Sequence, residues 1–369
     1  MNRFVNIFSP DSVKKELEYL KTVTYEDVKI TLSKEHISKK DFLNLISSAA
    51  DPFLEEIARK SQRITKKRFG NIIQMYIPLY LSSECNNRCA YCGFRNDLKP
   101  EERKTLSLEE VKQEAFKIKQ MGFSHVLLVS SASSKVTVNY LKEVIFILKD
   151  LFASVTVEID TLSTDDYNAL KQVGCDGVTI YQETYDPEIY NRVHLSGSKK
   201  DYRWRLDAPE RICEAGLRKL NIGALLGLGD WLFESVALYL HLEYLSKYYW
   251  RTYLSLSFPR INNAPEDFSY VPVSDKDLCK MVCAFRIAFP DLNLVLSTRE
   301  SPEIRRGLAN IAITQMSAGS STTPGGYTSK LSDIRQFEVC DDRPPEIVSE
   351  DLKNIGLEPV WKDWDKYLF

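Results

Sequence analysis

The sequence predicts an α/β fold, a (β/α)8 TIM-type barrel with a helical N-terminal extension and a C-terminal wrap. Eight short apolar segments, several of them rich in Val, Ile or Tyr, recur from residue 73 onward. Amphipathic helical stretches such as LSLEEVKQEAFKIKQMG lie between them. Such alternation is typical of parallel sheets, although periodicity alone leaves an open doubly wound sheet as the alternative. The predicted strands are 74–81, 125–130, 154–159, 177–183, 221–228, 253–258, 293–298 and 312–318.

The pattern divides the chain into three segments. Residues 1–72 are charged and helical in pattern, and they form the predicted N-terminal extension. Residues 73–331 carry the strand and helix alternation of the barrel. Residues 332–369 are polar, with one predicted helix near 346–355, and we expect this tail to pack on the barrel through Trp361.

Composition narrows the class of protein. The 369 residues are 44% hydrophobic, enough for a large core, and 49 basic residues nearly balance 51 acidic ones. Neither a nucleic-acid partner nor a membrane partner is therefore expected. The first residues contain no long apolar run, so we expect no secretory signal. Eight cysteines without such a signal favour free thiols in a reducing compartment, and the sequence predicts a cytoplasmic protein.

The most specific motif is a cysteine triplet directly after the first predicted strand. Cys85, Cys89 and Cys92 have the spacing C-x3-C-x2-C. Three thiolates on one loop can bind three irons of a [4Fe–4S] cluster and leave the fourth iron open. The open iron can chelate the amino and carboxylate groups of S-adenosylmethionine. The loops that follow barrel strands form the active face of such a fold, so the position suits a cofactor.

Aromatic residues flank the triplet and are predicted to cover the cluster. Tyr91 precedes the third cysteine and Phe94 follows it, while Gly93 between them lets the backbone approach closely. The alternative is a structural zinc loop, which needs a fourth ligand that usually comes from a second Cys or His pair. Such a pair is not obvious, because the four histidines are isolated in the sequence. A non-catalytic iron–sulfur or zinc scaffold stays open as an alternative function.

At this point the sequence resembles a known family. The stretch FGNIIQMYIPLYLSSECNNRCAYCGF is similar to the corresponding part of the tyrosine lyases of the radical S-adenosylmethionine superfamily. The likeness continues through VTIYQETYDPEIY, WRLDAPERICEAGL, LSTRESP, TTPGGY, DDRPPEIV and EPVWKDWD, which is nearly the whole chain. The combination of YQETY, STRES and PVWKDWD resembles the 2-iminoacetate synthase family of thiamine biosynthesis most closely.

The resemblance implies cleavage of the Cα–Cβ bond of L-tyrosine. A 5′-deoxyadenosyl radical would remove hydrogen at the amino nitrogen, and the products would be 2-iminoacetate (dehydroglycine) and p-cresol, with 5′-deoxyadenosine and methionine released. The resemblance also implies two protein partners, a thiazole synthase that takes the product and a reductase such as flavodoxin or ferredoxin.

Two related functions are the alternatives. One is a radical lyase acting on another aromatic amino acid, and the other is a role like that of the hydrogenase-maturation tyrosine lyase. That sister group carries a C-terminal extension with further cysteines. Here the chain ends at Phe369 with only Cys340 in the tail, which favours the thiamine branch.

The resemblance also assigns residues to S-adenosylmethionine. Gln182 and Glu183 end the fourth predicted strand and are expected to contact the ribose or the methionine end. Arg205, in the WRL pattern, is expected to hold the methionine carboxylate with its forked guanidinium. Relatives usually carry a Gly-Glu pair after the second strand, where this chain has Ser130 and Ser131. Their hydroxyl and backbone groups are the expected substitutes.

The substrate residues are predicted at the ends of the last two strands. A tyrosine zwitterion needs a cation for its carboxylate, and Arg299 in LSTRES is the candidate. Its neighbour Glu300 is assigned to the same catalytic site. Ser317 and Ser320, at and after the eighth strand, are expected to add hydroxyl contacts. Each serine has an equally simple interpretation as a residue that caps a loop.

Overall fold

The computed structural model describes residues 2–98, 103–261, 265, 268–329 and 335–361. Eight of its strands are parallel and follow one another in the order β1, β3, β4, β5, β7, β8, β9, β10. Pairing of β10 with β1, where Gln315 lies opposite Gln74, closes the barrel. The strands are β1 (Ile72–Ser82), β2 (Arg88–Cys89), β3 (His125–Ser130), β4 (Ser154–Glu158), β5 (Gly177–Glu183), β6 (His194–Ser196), β7 (Lys219–Ala224), β8 (Tyr253–Ser257), β9 (Asn293–Leu296), β10 (Gln315–Ser317) and β11 (Glu358–Val360). The predicted (β/α)8 barrel is thereby confirmed, because an open sheet has no such closing pair.

Helices surround the barrel and follow its strands. Several begin at a Ser, Thr or Asp whose side chain accepts a hydrogen bond from the first turn, as Ser107 does from the backbone N–H of Glu110. The helices are α1 (Phe4–Ile7), α2 (Pro10–Leu20), α3 (Tyr25–Ser33), α4 (Lys39–Ile46), α5 (Leu54–Phe69), α6 (Leu108–Gln120), α7 (Val138–Leu148), α8 (Thr164–Gln172), α9 (Pro187–Val193), α10 (Tyr202–Leu206), α11 (Ala208–Glu214), α12 (Trp231–Tyr248), α13 (Asp275–Ala288), α14 (Pro302–Ile311) and α15 (Pro345–Asn354). Short 3-10 turns occur at Ser48–Phe53 and Ser198–Lys200.

Two of the predicted strands match the structure at both ends. The predicted strands 125–130 and 177–183 have the bounds of β3 and β5. The predicted strand 221–228 is wrong at its end, because β7 stops at Ala224. Beyond it the backbone N–H of Leu225 donates to the carbonyl of Glu183, and Gly227 takes a φ of +111° that turns the chain.

The five helices before β1 pack on one side of the barrel. The ring of Phe42 on α4 lies 4.9 Å from that of Phe285 on α13 and 4.8 Å from that of Tyr239 on α12. Arg3 makes an ion pair of 2.6 Å with Asp207, between α10 and α11. The boundaries proposed for the three segments remain predictions.

The C-terminal residues wrap around the opposite side. Strand β11 extends the sheet beside β1, and the ring of Trp361 lies 4.9 Å from that of Phe123. Before α15, residues 335–340 cross the carboxyl end of the barrel, and we call this segment the strap. Of the predicted tail, residues 332–334 and 362–369 lie outside the described residues.

Hydrogen-bonded polar side chains fill the barrel interior at its amino end. Asn293 donates to the side-chain carbonyl of Gln315 at 2.8 Å, and the two ring nitrogens of His125 lie 3.3 Å from Gln315 and 3.2 Å from Thr156. Burial lowers the pKa of His125 to about 3, so the ring is neutral. A cavity of about 350 Å³ lies at the carboxyl end of the strands, and another of about 300 Å³ lies at the amino end beside Gln74 and Trp250. Within the described residues, no helix is both long enough and apolar enough to cross a membrane.

Candidate active site

The cysteine loop is fixed to the segment that follows α9. Strand β2 pairs antiparallel with β6, which places Cys89 opposite His194 and Arg88 opposite Ser196. The backbone N–H of Ala90 extends this pairing by donating to the carbonyl of Val193 at 2.9 Å. The loop is therefore held by main-chain bonds at its middle.

Cys85, Cys89 and Cys92 line one cavity of about 80 Å³, which we call the cysteine cavity. The backbone N–H of Asn87 donates to the sulfur of Cys85 at 3.3 Å, and that of Phe94 donates to the sulfur of Cys92 at 3.4 Å. Burial raises the pKa of Cys89 to about 12, so its thiolate needs a positive partner. Iron would be such a partner, because coordination deprotonates a thiol and amide bonds to sulfur stabilise the cluster.

The arrangement of the triplet fits a cubane better than a single ion. Zinc requires its donors to converge on one point, whereas the cysteines of a [4Fe–4S] cluster bind separate irons at its corners. Within the part of the chain that the structure describes, no three Cys, His, Asp or Glu side chains are grouped closely enough for one ion. Three sulfurs spread around one cavity suit the larger group.

A second and larger space adjoins the cysteine cavity. This central cavity has a volume of about 350 Å³ and lies under the strap. The cysteine loop, the ends of β4 and β5, and the loops after β7, β8 and β9 surround it. Residues that line both spaces form their common wall, and they are Cys92, Glu158, Tyr181, Glu183, Lys199 and Gln336. A group held by the cysteines would therefore face directly into the central cavity.

A buried charge cluster occupies the common wall. Lys199 donates to Glu183 at 2.6 Å, and Arg205 donates to the carbonyl of Tyr181 at 2.7 Å. Burial by itself would lower the pKa of Lys199, but the Glu183 carboxylate more than offsets it and the pKa is raised. Glu183 has a φ of +69°, which is unusual for a side chain with a Cβ and is typical of functional sites.

Tyr91 is oriented by a neutral histidine. Burial lowers the pKa of His194 to about 2. One ring nitrogen lies 2.9 Å from the carbonyl of Tyr190, and the other lies 2.9 Å from the hydroxyl of Tyr91. The neutral ring therefore donates to the carbonyl and accepts from Tyr91, which fixes the aromatic ring at the edge of the central cavity.

Opposite charges line the central cavity beyond this cluster. The guanidinium of Arg299 stacks on the ring of Phe337 of the strap, 3.4 Å from its centroid. Glu158, the last residue of β4, lies in the wall of both cavities. Burial and the nearby Glu183 raise the pKa of Glu158 to about 7, against the opposing charges of Arg299 and Lys199.

Comparison with known proteins identifies the family. The model of the radical SAM superfamily matches residues 79–240, and that of the biotin and thiamin synthesis associated domain matches 257–358. The chain is 42% identical over 350 residues to 2-iminoacetate synthase of Escherichia coli K12, covering 94% of this chain and 92% of that protein. The same identity and coverage hold for 2-iminoacetate synthase of Salmonella typhimurium. This chain belongs to the 2-iminoacetate synthase family.

Solved structures agree with this family assignment. HydG, a maturase of the [FeFe]-hydrogenase, is 32% identical with a TM-score of 0.89, covering 95% of this chain and 80% of its own. HydG of Carboxydothermus hydrogenoformans is 33% identical with a TM-score of 0.87, covering 95% and 84%. Membership confirms the predicted family. It also confirms the prediction of an enzyme that uses a [4Fe–4S] cluster and S-adenosylmethionine.

The structure brings most of the predicted cofactor and substrate residues to the cavities of this family member. The three cysteines, Ser130, Ser131, Glu183 and Arg205 line the cysteine cavity, whereas Tyr91 and Arg299 line the central cavity. Phe94 is buried with its ring 6.1 Å from that of Tyr80, behind the cysteines. The roles assigned to these residues remain predictions.

Four other predicted residues lie outside the walls of the cavities. The carboxylate of Glu300 is buried in an ion pair with Arg260. The side chains of Gln182 and Ser317 are buried beside the barrel strands. Ser320 lies at a separate cavity, but its hydroxyl oxygen is buried. Their contribution would be to support the site rather than to touch a ligand.

Four residues of the common wall are missing from the sequence-based prediction, namely Glu158, Tyr181, Lys199 and Gln336. Glu158 ends a strand, so the rule that barrel strands carry catalytic groups at their carboxyl ends could have found it. Lys199 lies in a polar loop with an ordinary composition, and Gln336 belongs to a tail segment without any motif. Only the fold places these two beside the cysteines.

Proposed function

We propose that the protein is a radical S-adenosylmethionine lyase that cleaves the Cα–Cβ bond of L-tyrosine into 2-iminoacetate and p-cresol for thiazole formation in thiamine biosynthesis. The supporting observation is that the cysteine cavity shares a wall with a larger cavity whose lining includes Arg299 and Glu158. An amino acid is a zwitterion, and this cavity is lined by both acidic and basic side chains.

The central cavity suits an aromatic substrate. Tyr181, Leu225, Ile261 and Phe337 form apolar and aromatic walls for a ring, and Arg299 is the proposed partner of the carboxylate. When bound, the cluster and S-adenosylmethionine supply a carbon-centred radical that removes hydrogen. The strap, whose Gln336 accepts a hydrogen bond of 2.6 Å from Tyr80, covers the cavity and limits the access of water.

The cofactor would bind across the common wall. Arg205 is the proposed partner of its methionine carboxylate, and Glu183 the partner of a hydroxyl or amino group. Ser131 donates to the carbonyl of Glu84 at 2.7 Å, so its hydroxyl is engaged by the cysteine loop. The Ser130 hydroxyl donates to the carbonyl of Ser131 at 3.0 Å, so the contacts that a Gly-Glu pair makes in relatives would come mainly from backbone groups.

An anaerobic assay of the reconstituted protein tests the proposed function. The protein is incubated with dithionite, S-adenosylmethionine and tyrosine, and 5′-deoxyadenosine and p-cresol are quantified. Equal amounts of the two products support the lyase. Neither product, from protein with an intact cluster, would refute it.

A second candidate function is a role like that of HydG, or the use of another aromatic amino acid. The observation that favours it is the TM-score of 0.89 with HydG. The identity to HydG is 32%, below the 42% to the 2-iminoacetate synthases, so the lyase of thiamine biosynthesis has the stronger support. Formation of 5′-deoxyadenosine without p-cresol, followed by a screen of tryptophan and phenylalanine, would favour the second candidate.

The proposed function implies partners and a compartment. The product 2-iminoacetate would pass to a thiazole synthase, and a flavodoxin or ferredoxin would supply electrons in the cytoplasm. Replacing dithionite by a reduced flavodoxin tests the electron source, and co-purification tests the synthase.

A further inference from the structure

Glu158 is a partly exposed carboxyl group in the walls of two adjoining cavities. It ends β4 and lines both the cysteine cavity and the central cavity. Among the described residues, its side chain makes neither a hydrogen bond nor an ion pair, whereas Glu183 on the next strand is paired with Lys199 at 2.6 Å. A partly exposed carboxylate that has no protein partner and faces a cavity is free to bind a cationic group of a ligand.

The cations around Glu158 are engaged elsewhere. Lys199 is bound to Glu183, Arg205 donates to the carbonyl of Tyr181, and Arg299 stacks on Phe337. The charged groups that act on Glu158 are Glu183, Arg299, Lys199 and Arg205. Burial raises the pKa of three phenols, those of Tyr76, Tyr80 and Tyr181, and the charge of Glu158 adds to the increase.

We propose that Glu158 binds the α-ammonium group of the substrate amino acid and accepts one of its protons, while Arg299 binds the carboxylate. This inference rests on the proposed function and goes beyond it, because it assigns the group that makes the amine neutral. The balance is simple: the ammonium and the carboxylate become an amine and a carboxylic acid, and no electron moves. A neutral amine is the form from which a hydrogen atom at nitrogen can be removed.

The pKa of Glu158 suits the acceptance of a proton from an ammonium group. A carboxyl group with a pKa of about 7 is ionised in a substantial fraction of molecules at neutral pH and is a stronger base than an ordinary glutamate. Glu158 would thereby select α-amino acids over acids that lack the amine. Below pH 7 the free carboxyl becomes neutral, so binding of an ammonium weakens by up to about tenfold for each pH unit.

A binding experiment on the non-reacting holoenzyme tests the inference. Reconstituted protein with its cluster oxidised and S-adenosylmethionine bound is dialysed against labelled L-tyrosine or against 3-(4-hydroxyphenyl)propanoate, which lacks the amine. Glu158→Gln is expected to weaken tyrosine binding by at least about 30-fold and to abolish its dependence on pH between 6 and 8. The Kd of the variant for the propanoate should stay within about twofold of that of the unmutated protein, which would show that the cavity is intact.

Glu143→Gln, on the exposed face of α7, is the matched control and should change neither affinity. Equal tyrosine affinity in the unmutated protein and Glu158→Gln would overturn the assignment while leaving the proposed function in place. Failure of the unmutated protein to bind tyrosine or to form p-cresol would overturn both. Loss of propanoate binding together with tyrosine binding in Glu158→Gln would show a structural role instead.

Discussion

The ammonium of Lys199 lies 2.6 Å from the carboxylate of Glu183, in the wall that separates the cysteine cavity from the central cavity. The Lys199 side chain is only 17% exposed and that of Glu183 is 8% exposed. Arg205 approaches the same carboxylate at 3.5 Å. The pair therefore connects the loop after α9 to the end of β5, and it fixes the wall on which the proposed cofactor would lie.

Lys199→Met is expected to destabilise the protein, because Glu183 would keep a buried charge without its main partner. We expect the free energy of unfolding to fall by about 2 kcal/mol, measured by urea denaturation under anaerobic conditions. Lys21→Met, which removes an ion pair with Glu18 that is 70% exposed on both sides, should change it by less than about 0.5 kcal/mol. If the two substitutions lower the free energy of unfolding equally, the larger contribution expected of the buried ion pair is contradicted.

Features that are local in the sequence were predictable from it. The cysteine triplet, the bounds of β3 and the strand end at Glu183 depend on a few neighbouring residues. Pairings across the fold were not. Tyr80 and Gln336 are 256 residues apart, and Glu300 meets Arg260 across 40 residues. Glu300 was assigned to the catalytic site from its position beside Arg299, but nothing local reveals which of two adjacent side chains a turn directs into the cavity.

Cys89→Ala is expected to prevent assembly of the [4Fe–4S] cluster, because two thiolates hold a cubane poorly. Iron and acid-labile sulfide are measured after anaerobic reconstitution, and both should fall to a small fraction of the unmutated values. Cys340→Ala, which changes an exposed cysteine of the strap, should bind iron and sulfide normally. Normal cluster content in Cys89→Ala would refute the ligand assignment.

Arg299→Ala is expected to weaken the use of tyrosine more than the binding of S-adenosylmethionine. Loss of a buried charged contact should lower kcat/KM for tyrosine, measured as p-cresol formation. The decrease should correspond to about 2–5 kcal/mol of activation free energy. The affinity for S-adenosylmethionine should change little, since Arg299 lines the central cavity and not the cysteine cavity. Arg251→Ala at the exposed start of β8 is the control. An unchanged KM and kcat would exclude the proposed contact.

Gly93→Ala tests whether the strap seals the cluster. A Cβ at Gly93 would overlap the carbonyl oxygen of Arg335 and lie 3.1 Å from that of Gln336, so the strap would have to move away from the cysteine loop. We expect the cluster to be lost faster in air, and this loss is measured as the decrease of the cluster's visible absorbance. Gly307→Ala meets no atom within 4 Å and lies on α14, so it should leave this rate unchanged. Identical bleaching rates for both variants would mean that the strap does not shield the cluster.

The buried carboxyl group of Glu234 is expected to make the stability of the fold depend on pH. This carboxyl accepts hydrogen bonds from the two residues that follow Glu183, namely from the Thr184 hydroxyl and, at 2.9 Å, from the backbone N–H of Tyr185. Burial raises its pKa from 4.5 to about 8. The folded protein therefore keeps this proton where the unfolded chain has lost it, so stability is full below pH 4.5 and declines as pH rises toward 8.

Glu234→Gln removes the titration, and urea midpoints measured at pH 5 and pH 8 should differ less in this variant than in the unmutated protein. A shift of the urea midpoint that occurs in both proteins comes from other titrating groups. Only the part of the shift that Glu234→Gln removes is assigned to Glu234. Glu243→Gln, on the exposed face of the same helix α12, should retain the pH dependence of the unmutated protein. If Glu234→Gln also retains the pH dependence, the Glu234 carboxyl is ionised in the folded state at neutral pH. The turn after Glu183 is then stabilised by a carboxylate and not by a neutral acid.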